Sequence, residues 1–226
     1  MSPKGAALEQ GSAPATTQEP DAAQKPTAAQ KVAEPRLARV AILGASVSAG
    51  MGLNKELHAD ADLAVVLDAL IQSDSVVRGF GDNAFFMAPT AEAMRQIESL
   101  AAFEPTQVFA IDLLFWFAYG AHEESERLEY FKLGLSVLSK IEAPLLLGDI
   151  PDMSGSIQSK SLFSLKASYV PTKETREQMN AHLYQWAEER KNVVIIPVAK
   201  HVASLQGDQT VTLHGNVWEP GDLKKL

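Results

Sequence analysis

The stretch most capable of chemistry is Gly44-Ala45-Ser46-Val47-Ser48-Ala49-Gly50, which follows the apolar run Val40–Leu43. Its glycines allow a tight strand-to-helix turn, and such a turn can present a serine hydroxyl at the rim of a sheet. A helix N-terminus close by offers free N–H donors to a developing anion. Such a serine can act as a nucleophile. The same residues also describe a glycine-rich turn whose serine merely caps a helix. The stretch lacks the G-x-G-x-x-G spacing of a dinucleotide site and the Lys-Ser/Thr of a phosphate-gripping loop. A serine nucleophile needs a base, and the chain has five histidines: His58, His122, His182, His201 and His214. His182 falls in a regular helix pattern, His58 and His122 near helix starts, and His201 almost directly after a strand pattern. His214 stands in Thr212-Leu213-His214-Gly215-Asn216. Phe115-Trp116-Phe117-Ala118-Tyr119 can line an acyl or aryl pocket, or form the core under the next helix. No His/Asp/Glu cluster has metal-ligand spacing. With no cysteine, thiolate zinc sites, Fe–S clusters, disulfides and thiol catalysis are excluded.

These residues act together only if the fold brings them to one edge. Val40–Leu43, Val76–Val77, Val108–Leu114, Pro144–Leu147 and Val193–Val198 read as strands. Between them, Leu63/Leu67/Leu70/Ile71, Met94/Ile97/Ala101, Leu128/Phe131/Leu135/Leu138 and Met179/Leu183/Trp186 fall on helical stripes. Pro89-Thr90 and Pro171-Thr172 open two of these helices, with Thr90 the expected N-cap of the first. The strands are near-continuous apolar runs, the pattern of strands covered on both faces. The prediction is a three-layer α/β/α domain with a five-stranded, parallel, flavodoxin-like sheet. Sites in such sheets form at the carboxyl ends of strands, so the residues after Leu43, Val77, Ile111, Leu147 and Val198 are the ones to watch. The connection 154–170 is longer than ordinary loops and reads as a lid over the site or a packed surface loop.

The chain has 226 residues, 46% of them hydrophobic and 21% charged, with formal net charge −8. That size fits one domain with a tail. The acidic balance argues against nucleic acid or an anionic membrane as the main partner. No apolar run approaches the roughly 20 residues that cross a bilayer. Residues 1–36 are dominated by Ala, Pro, Gln, Thr and Glu, with no aromatic residue and no Ile. Such a segment is expected to be a disordered leader. It lacks the apolar core of a signal peptide. It is a spacer, or a linker left when an upstream export signal is removed. Residues 37–226 form the α/β domain.

Ile42-Leu43-Gly44-Ala45-Ser46-Val47-Ser48-Ala49-Gly50 resembles the first block of the SGNH/GDSL hydrolases, Gly-Asp-Ser-Leu-Ser after strand one. The resemblance implies that Ser46 is the nucleophile. Val76-Val77-Arg78-Gly79-Phe80-Gly81-Asp82 looks like the second block, whose glycine N–H helps hold the oxyanion; Gly81 is the better match and Gly79 the other. Pro144-Leu145-Leu146-Leu147-Gly148-Asp149-Ile150-Pro151 resembles the family's fourth strand and following loop. The likeness runs from Val40 to about Val198. It implies a serine hydrolase cleaving the carboxylic ester of a small molecule or acylated carbohydrate, with no metal or organic cofactor.

The chain also departs from the family's pattern. Ala45 replaces the Asp of the first block, and Asp112 stands where the third block has an oxyanion-donating Asn. An ionised carboxylate only accepts hydrogen bonds, and losing one oxyanion donor costs roughly 2.7–4 kcal/mol of transition-state stabilisation. Asp112 is therefore expected to be protonated, turned away, used to fix a histidine, or buried and bonded to loop amides below the site. For the fifth block, Asp-x-x-His, the nearest match is His214 as the base, although Val211 holds the Asp position and Gly215 replaces Pro. Alternatively the block lies past Leu226, and Gly221–Leu226 begins a terminal helix. These departures support a second expectation, a catalytically inactive SGNH-like binding or scaffold domain.

Overall fold

The computed structural model describes residues 36–53, 58–71, 74–156, 165–206, 210–213 and 215–218. The expected leader, apart from Arg36, and the expected terminal helix both lie outside the described residues. Five short strands form the sheet: β1 (Arg39–Ile42), β2 (Val76–Gly79), β3 (Gln107–Ala110), β4 (Leu145–Gly148) and β5 (Val193–Ile196). Their order is β2-β1-β3-β4-β5, and every pairing is parallel. The three-layer α/β fold expected from the sequence is the one observed.

Among the described residues, six α-helices connect and cover the strands: α1 (Leu63–Leu70), α2 (Pro89–Phe103), α3 (Phe115–Ala118), α4 (Arg127–Leu138), α5 (Lys173–Glu188) and α6 (Val198–Gln206). The chain steps one way from β1 to β2 and the opposite way from β2 through β5. Right-handed crossovers therefore put α1 on one face and α2, α4 and α5 on the other, where α2 packs on α4 and α4 on α5. An antiparallel hairpin follows α6, β6 (Val211–Leu213) with β7 (Asn216–Trp218). The sequence pattern had not indicated it. No helix among the described residues is long and apolar enough to cross a membrane.

The core explains both the agreements and the differences. Val40, Ala41, Ile42 and Leu43 are wholly buried at the centre of the sheet, as a strand covered on both faces requires. Phe131, Leu135 and Leu138 of α4 and Met179 and Leu183 of α5 face inward as their spacing predicted. Asp62 caps α1 and Thr172 caps α5, each side chain accepting a backbone N–H one turn on. In α2, however, Pro89 takes the first helical position and Ala88 the cap position, so Thr90 is not the cap. Pro suits that place because its fixed φ is already helical and its missing N–H is not needed there.

Other expectations shift in register. The inward face of α2 carries Ala93, Gln96, Leu100 and Phe103; Ala101 is exposed, and Met94 and Ile97 pack at the margin. In α1 the buried residue is Ala64, and Leu70 points outward. β3 ends at Ala110, not at Leu114. Leu113 and Leu114 are apolar because they sink into the core beneath α3, not because they extend the sheet. β5 likewise stops at Ile196, and Val198 begins α6.

Candidate active site

The strand order reverses direction between β1 and β3, the place where doubly wound sheets open a crevice at their carboxyl ends. Ser46 follows β1 at that crevice and Asp112 follows β3. Residues 45–51 form tight turns: Ala49 N–H donates to Ala45 O at 2.9 Å and Met51 N–H to Ser46 O at 2.8 Å. The Asp112 carboxylate fills the open N–H end of these turns. Oδ1 accepts from Ala45 N–H at 3.1 Å and Ser48 Oγ–H at 2.6 Å; Oδ2 accepts from Val47 N–H at 2.8 Å and Ser48 N–H at 3.3 Å. A carboxylate aimed at the N–H groups of a helical turn is a favourable arrangement. Of the fates open to Asp112, the structure adopts the hydrogen bonding of the last, with loop amides holding both oxygens, but not its burial: Asp112 is half-buried and lines the cavity.

Ser46 N–H is skipped. Among the described residues it has no acceptor, and neither does Gly81 N–H. The residues around Gly81 are nonetheless fixed. Phe80 N–H donates to Ile42 O at 2.8 Å and Asp82 N–H to Gly44 O at 3.1 Å, extending the β1–β2 pairing beyond the sheet. A Cβ on Gly81 would stand 3.0 Å from Ala49 N and 3.2 Å from Ser48 Cβ. A side chain at position 81 would push the two loops apart by a few tenths of an ångström, so glycine suits this close approach. Gly79, the other candidate, is the last residue of β2.

Gln96 of α2 holds the opposite side of the turn. Its wholly buried amide accepts from Gly44 N–H at 2.8 Å and donates to Gly44 O at 2.9 Å. Gly44 has φ +148°, and a Cβ there would collide with Asp112 Oδ1 and Ser48 Oγ. Sequence reading missed Gln96. Its signal was a polar residue sharing a helix with an apolar stripe, and the stripe itself had been placed one position away.

Ser46 opens onto a cavity of about 550 Å³. The residue is 8% exposed, but every buried side-chain oxygen among the described residues has a hydrogen-bond partner. Ser46 Oγ has none, so it faces the cavity and is not sealed in the core. The aromatic run divides its labour: Phe115 and Trp116 line the cavity, while Phe117, Ala118 and Tyr119 are buried in the core. Ile150 and Met153 come from the loop after β4, Leu165, Lys166 and Tyr169 from the long connection, and Val198 and Val202 from α6. Asp149 also reaches the cavity, its oxygens accepting from Ala199 N–H at 2.7 Å and Tyr184 Oη–H at 2.9 Å.

The outer wall is pinned from behind. Tyr119 Oη donates to Pro151 O at 2.8 Å and accepts from Met153 N–H at 3.0 Å, and its ring stacks on Phe115 at 4.2 Å. Burial pushes the Tyr119 hydroxyl above its ordinary pKa, more than the Met153 hydrogen bond lowers it. Arg127, only 2% exposed, donates to Ala118 O at 3.1 Å and Ser168 O at 2.8 Å and pairs with Glu124 at 2.8 Å. Glu124 in turn accepts from Thr172 N–H and Oγ1–H at 2.9 and 2.7 Å. Partial burial would raise Glu124, but its hydrogen bonds with Thr175 and Thr172 and the Arg127 charge outweigh it and hold the carboxyl at about 2.

No family model matches the chain, and no curated protein matches it either. Solved structures are similar to it at low identity. A psychrotrophic esterase from Pseudoalteromonas sp. is 17% identical over 70% of this chain and 77% of its own, with a TM-score of 0.43. An esterase called AlinE4 is 14% identical over 83% of this chain and 90% of its own, at 0.48. A GDSL-like lipase from Bacteroides thetaiotaomicron is 13% identical over 71% and 69%, at 0.43. Nothing about the chemistry of this chain follows from them.

The expected residues are thus partly assembled. Ser46 and Asp112 line one cavity, and the Gly81 loop packs on the turn that carries Ser46. His214 lies outside the described residues. Among those described, no histidine lines the cavity. His201 sits half-buried on α6, and His122 packs on Tyr130 with ring centres 4.0 Å apart and planes tilted by 36°.

Proposed function

We propose that this domain is a serine hydrolase cleaving a carboxylic ester. Ser46 Oγ attacks the carbonyl carbon, and its proton passes to the base, a role we assign to His214. The carbonyl electrons move onto oxygen, which the N–H groups of Ser46 and Gly81 receive as donors. Collapse of this intermediate breaks the bond to the alcohol, which leaves with the proton from His214. Water then repeats the sequence on the acyl-serine and frees the acid. Asp112 fixes the turn from below and takes no part as an oxyanion donor. The observation that carries the reading is a serine hydroxyl that has no partner among the described residues, open to a cavity, beside an N–H that Asp112 and the other described residues leave unpaired.

A fluorophosphonate probe tests it. The folded protein is expected to become labelled at Ser46, and Ser46→Ala and His214→Ala to be silent. Absence of labelling in the wild-type protein would remove the hydrolase. The second reading, a binding domain without catalysis, is favoured by two features: no described histidine lines the cavity, and Asp112 is an acceptor where a donor is expected. Normal labelling with an unaltered rate in His214→Ala would remove the histidine alone.

A further inference from the structure

We propose that the cavity above Ser46 binds a medium-length, apolar acyl chain, and not an acetyl group or a sugar. The proposal rests on the ester-hydrolase reading and names which half of the substrate enters. At about 550 Å³ the space is within the range of pockets that enclose whole small ligands, far more than an acetyl methyl fills. Phe115, Trp116, Ile150, Met153, Leu165 and Val202 supply its walls. An acetyl group would leave these walls against water.

The polar groups argue the same way. A sugar needs unengaged donors and acceptors around it. Asp112 and Asp149, the two carboxylates at the cavity, already have both oxygens engaged by protein N–H and O–H groups. Asn83 and Lys166 also line the space, but both are exposed and so belong to its mouth. Besides these and Ser46, the Tyr169 hydroxyl is the one other lining side-chain group left unengaged among the described residues, too few for a sugar. The mouth is itself partly apolar: Val47 and Phe86 line it while each remaining 51% exposed. A chain running past the cavity would cover them. Burying each methylene on such a surface is worth about fourfold in binding.

p-Nitrophenyl esters of acetate, butyrate and octanoate test this together with binding. We expect kcat/KM to rise from acetate to octanoate by at least about 10²-fold, below the roughly 4×10³-fold that six fully buried methylenes would give because part of the chain lies at the open mouth. Met153→Trp, which places an indole in the cavity, is expected to cut the octanoate-to-acetate ratio by about tenfold. In Ser46→Ala, octanoate is expected to change the fluorescence of Trp116, and Trp116→Phe to lose that signal. Acetate turned over as well as octanoate would overturn the acyl-chain proposal and leave the hydrolase standing. No turnover of any ester, with saturable octanoate binding at Trp116, would overturn the hydrolase and leave the apolar-chain site standing. Neither turnover nor binding would overturn both.

Discussion

The floor beneath Ser46 and the outer wall of the cavity are built on opposite principles. The floor is polar and satisfied. Asp112, just past β3, and Gln96 of α2 hold the turn of residues 44–51 by hydrogen bonds between elements more than 50 residues apart in sequence. The wall is apolar where it meets the cavity and polar only behind, where Tyr119 and Arg127 tie it to backbone carbonyls. The chemistry proposed for Ser46 tolerates little displacement, and directional bonds provide that precision. A surface that accepts an apolar group needs area and shape, and dispersion contacts supply those with less demand on angle.

Variants on each side sharpen this contrast, beginning with the floor. Asp112→Ala strips four hydrogen bonds from the turn. Each buried donor left without a partner costs about 1–3 kcal/mol, and water entering the gap offsets part of this. A net loss of about 3–5 kcal/mol is expected, read by thermal melting as a fall of about 10 °C, with ester turnover reduced at least about 10²-fold. Asp112→Asn keeps the volume but turns an NH2 group toward N–H donors. Its melting temperature should fall less, while kcat drops about 10²-fold and KM stays within about threefold. A variant with both values unchanged would show that the floor does not position the serine.

The wall should respond differently. Arg127→Met removes the bonds to Ala118 O and Ser168 O but keeps much of the buried volume. It is expected to cost about 2 kcal/mol, and steady-state kinetics should show KM for a long-chain ester rising several-fold, with kcat changed by less than about threefold. Returning to the floor, Gln96→Leu should cost about 1–2 kcal/mol by melting, because Gly44 loses both of its side-chain partners.

The smallest effect is electrostatic. Glu124 titrates at about 2 in the folded protein against an ordinary 4.5, so its lowered pKa adds stability above pH 4.5 that is lost as pH falls toward 2. Because Glu124 is 41% exposed, solvent screening limits this contribution to about 1 kcal/mol or less. The melting temperature of Glu124→Gln should lie about 2–4 °C below wild type at neutral pH and converge with it near pH 2. A constant gap across that range would mean that ionisation of Glu124 contributes nothing.

Much of this architecture was legible in the sequence because buried parallel strands leave unbroken apolar runs. Val40–Leu43 and Leu145–Leu147 could hardly be anything else. The same rule misled at Leu113 and Leu114, which are apolar because they sink into the core beneath a short helix. Composition cannot distinguish those two kinds of burial. At the site, the glycine-marked turns after strands point to Ser46, Gly79 and Gly81, and it is the resemblance to the SGNH/GDSL blocks that selects Ser46 and Gly81. The role of Asp112 could be enumerated but not chosen, since which N–H groups reach its oxygens depends on the β1–β3 register. Gln96 was invisible because its partner, the Gly44 peptide, is 52 residues away. A peptide group has no identity in sequence.

Tyr119 gives the cavity a weak point at the basic end of the pH scale. Its hydroxyl is both donor and acceptor to the strand of chain at 151–153, so loss of that proton would set a phenolate against the Pro151 carbonyl. Because burial raises its pKa, the stability it lends is complete below the ordinary tyrosine value and vanishes as pH climbs through the raised one. Alkali should therefore loosen the outer wall of the pocket before the rest of the domain yields. Phenolate absorbance rising together with Trp116 fluorescence, ahead of global unfolding, is the expected signature.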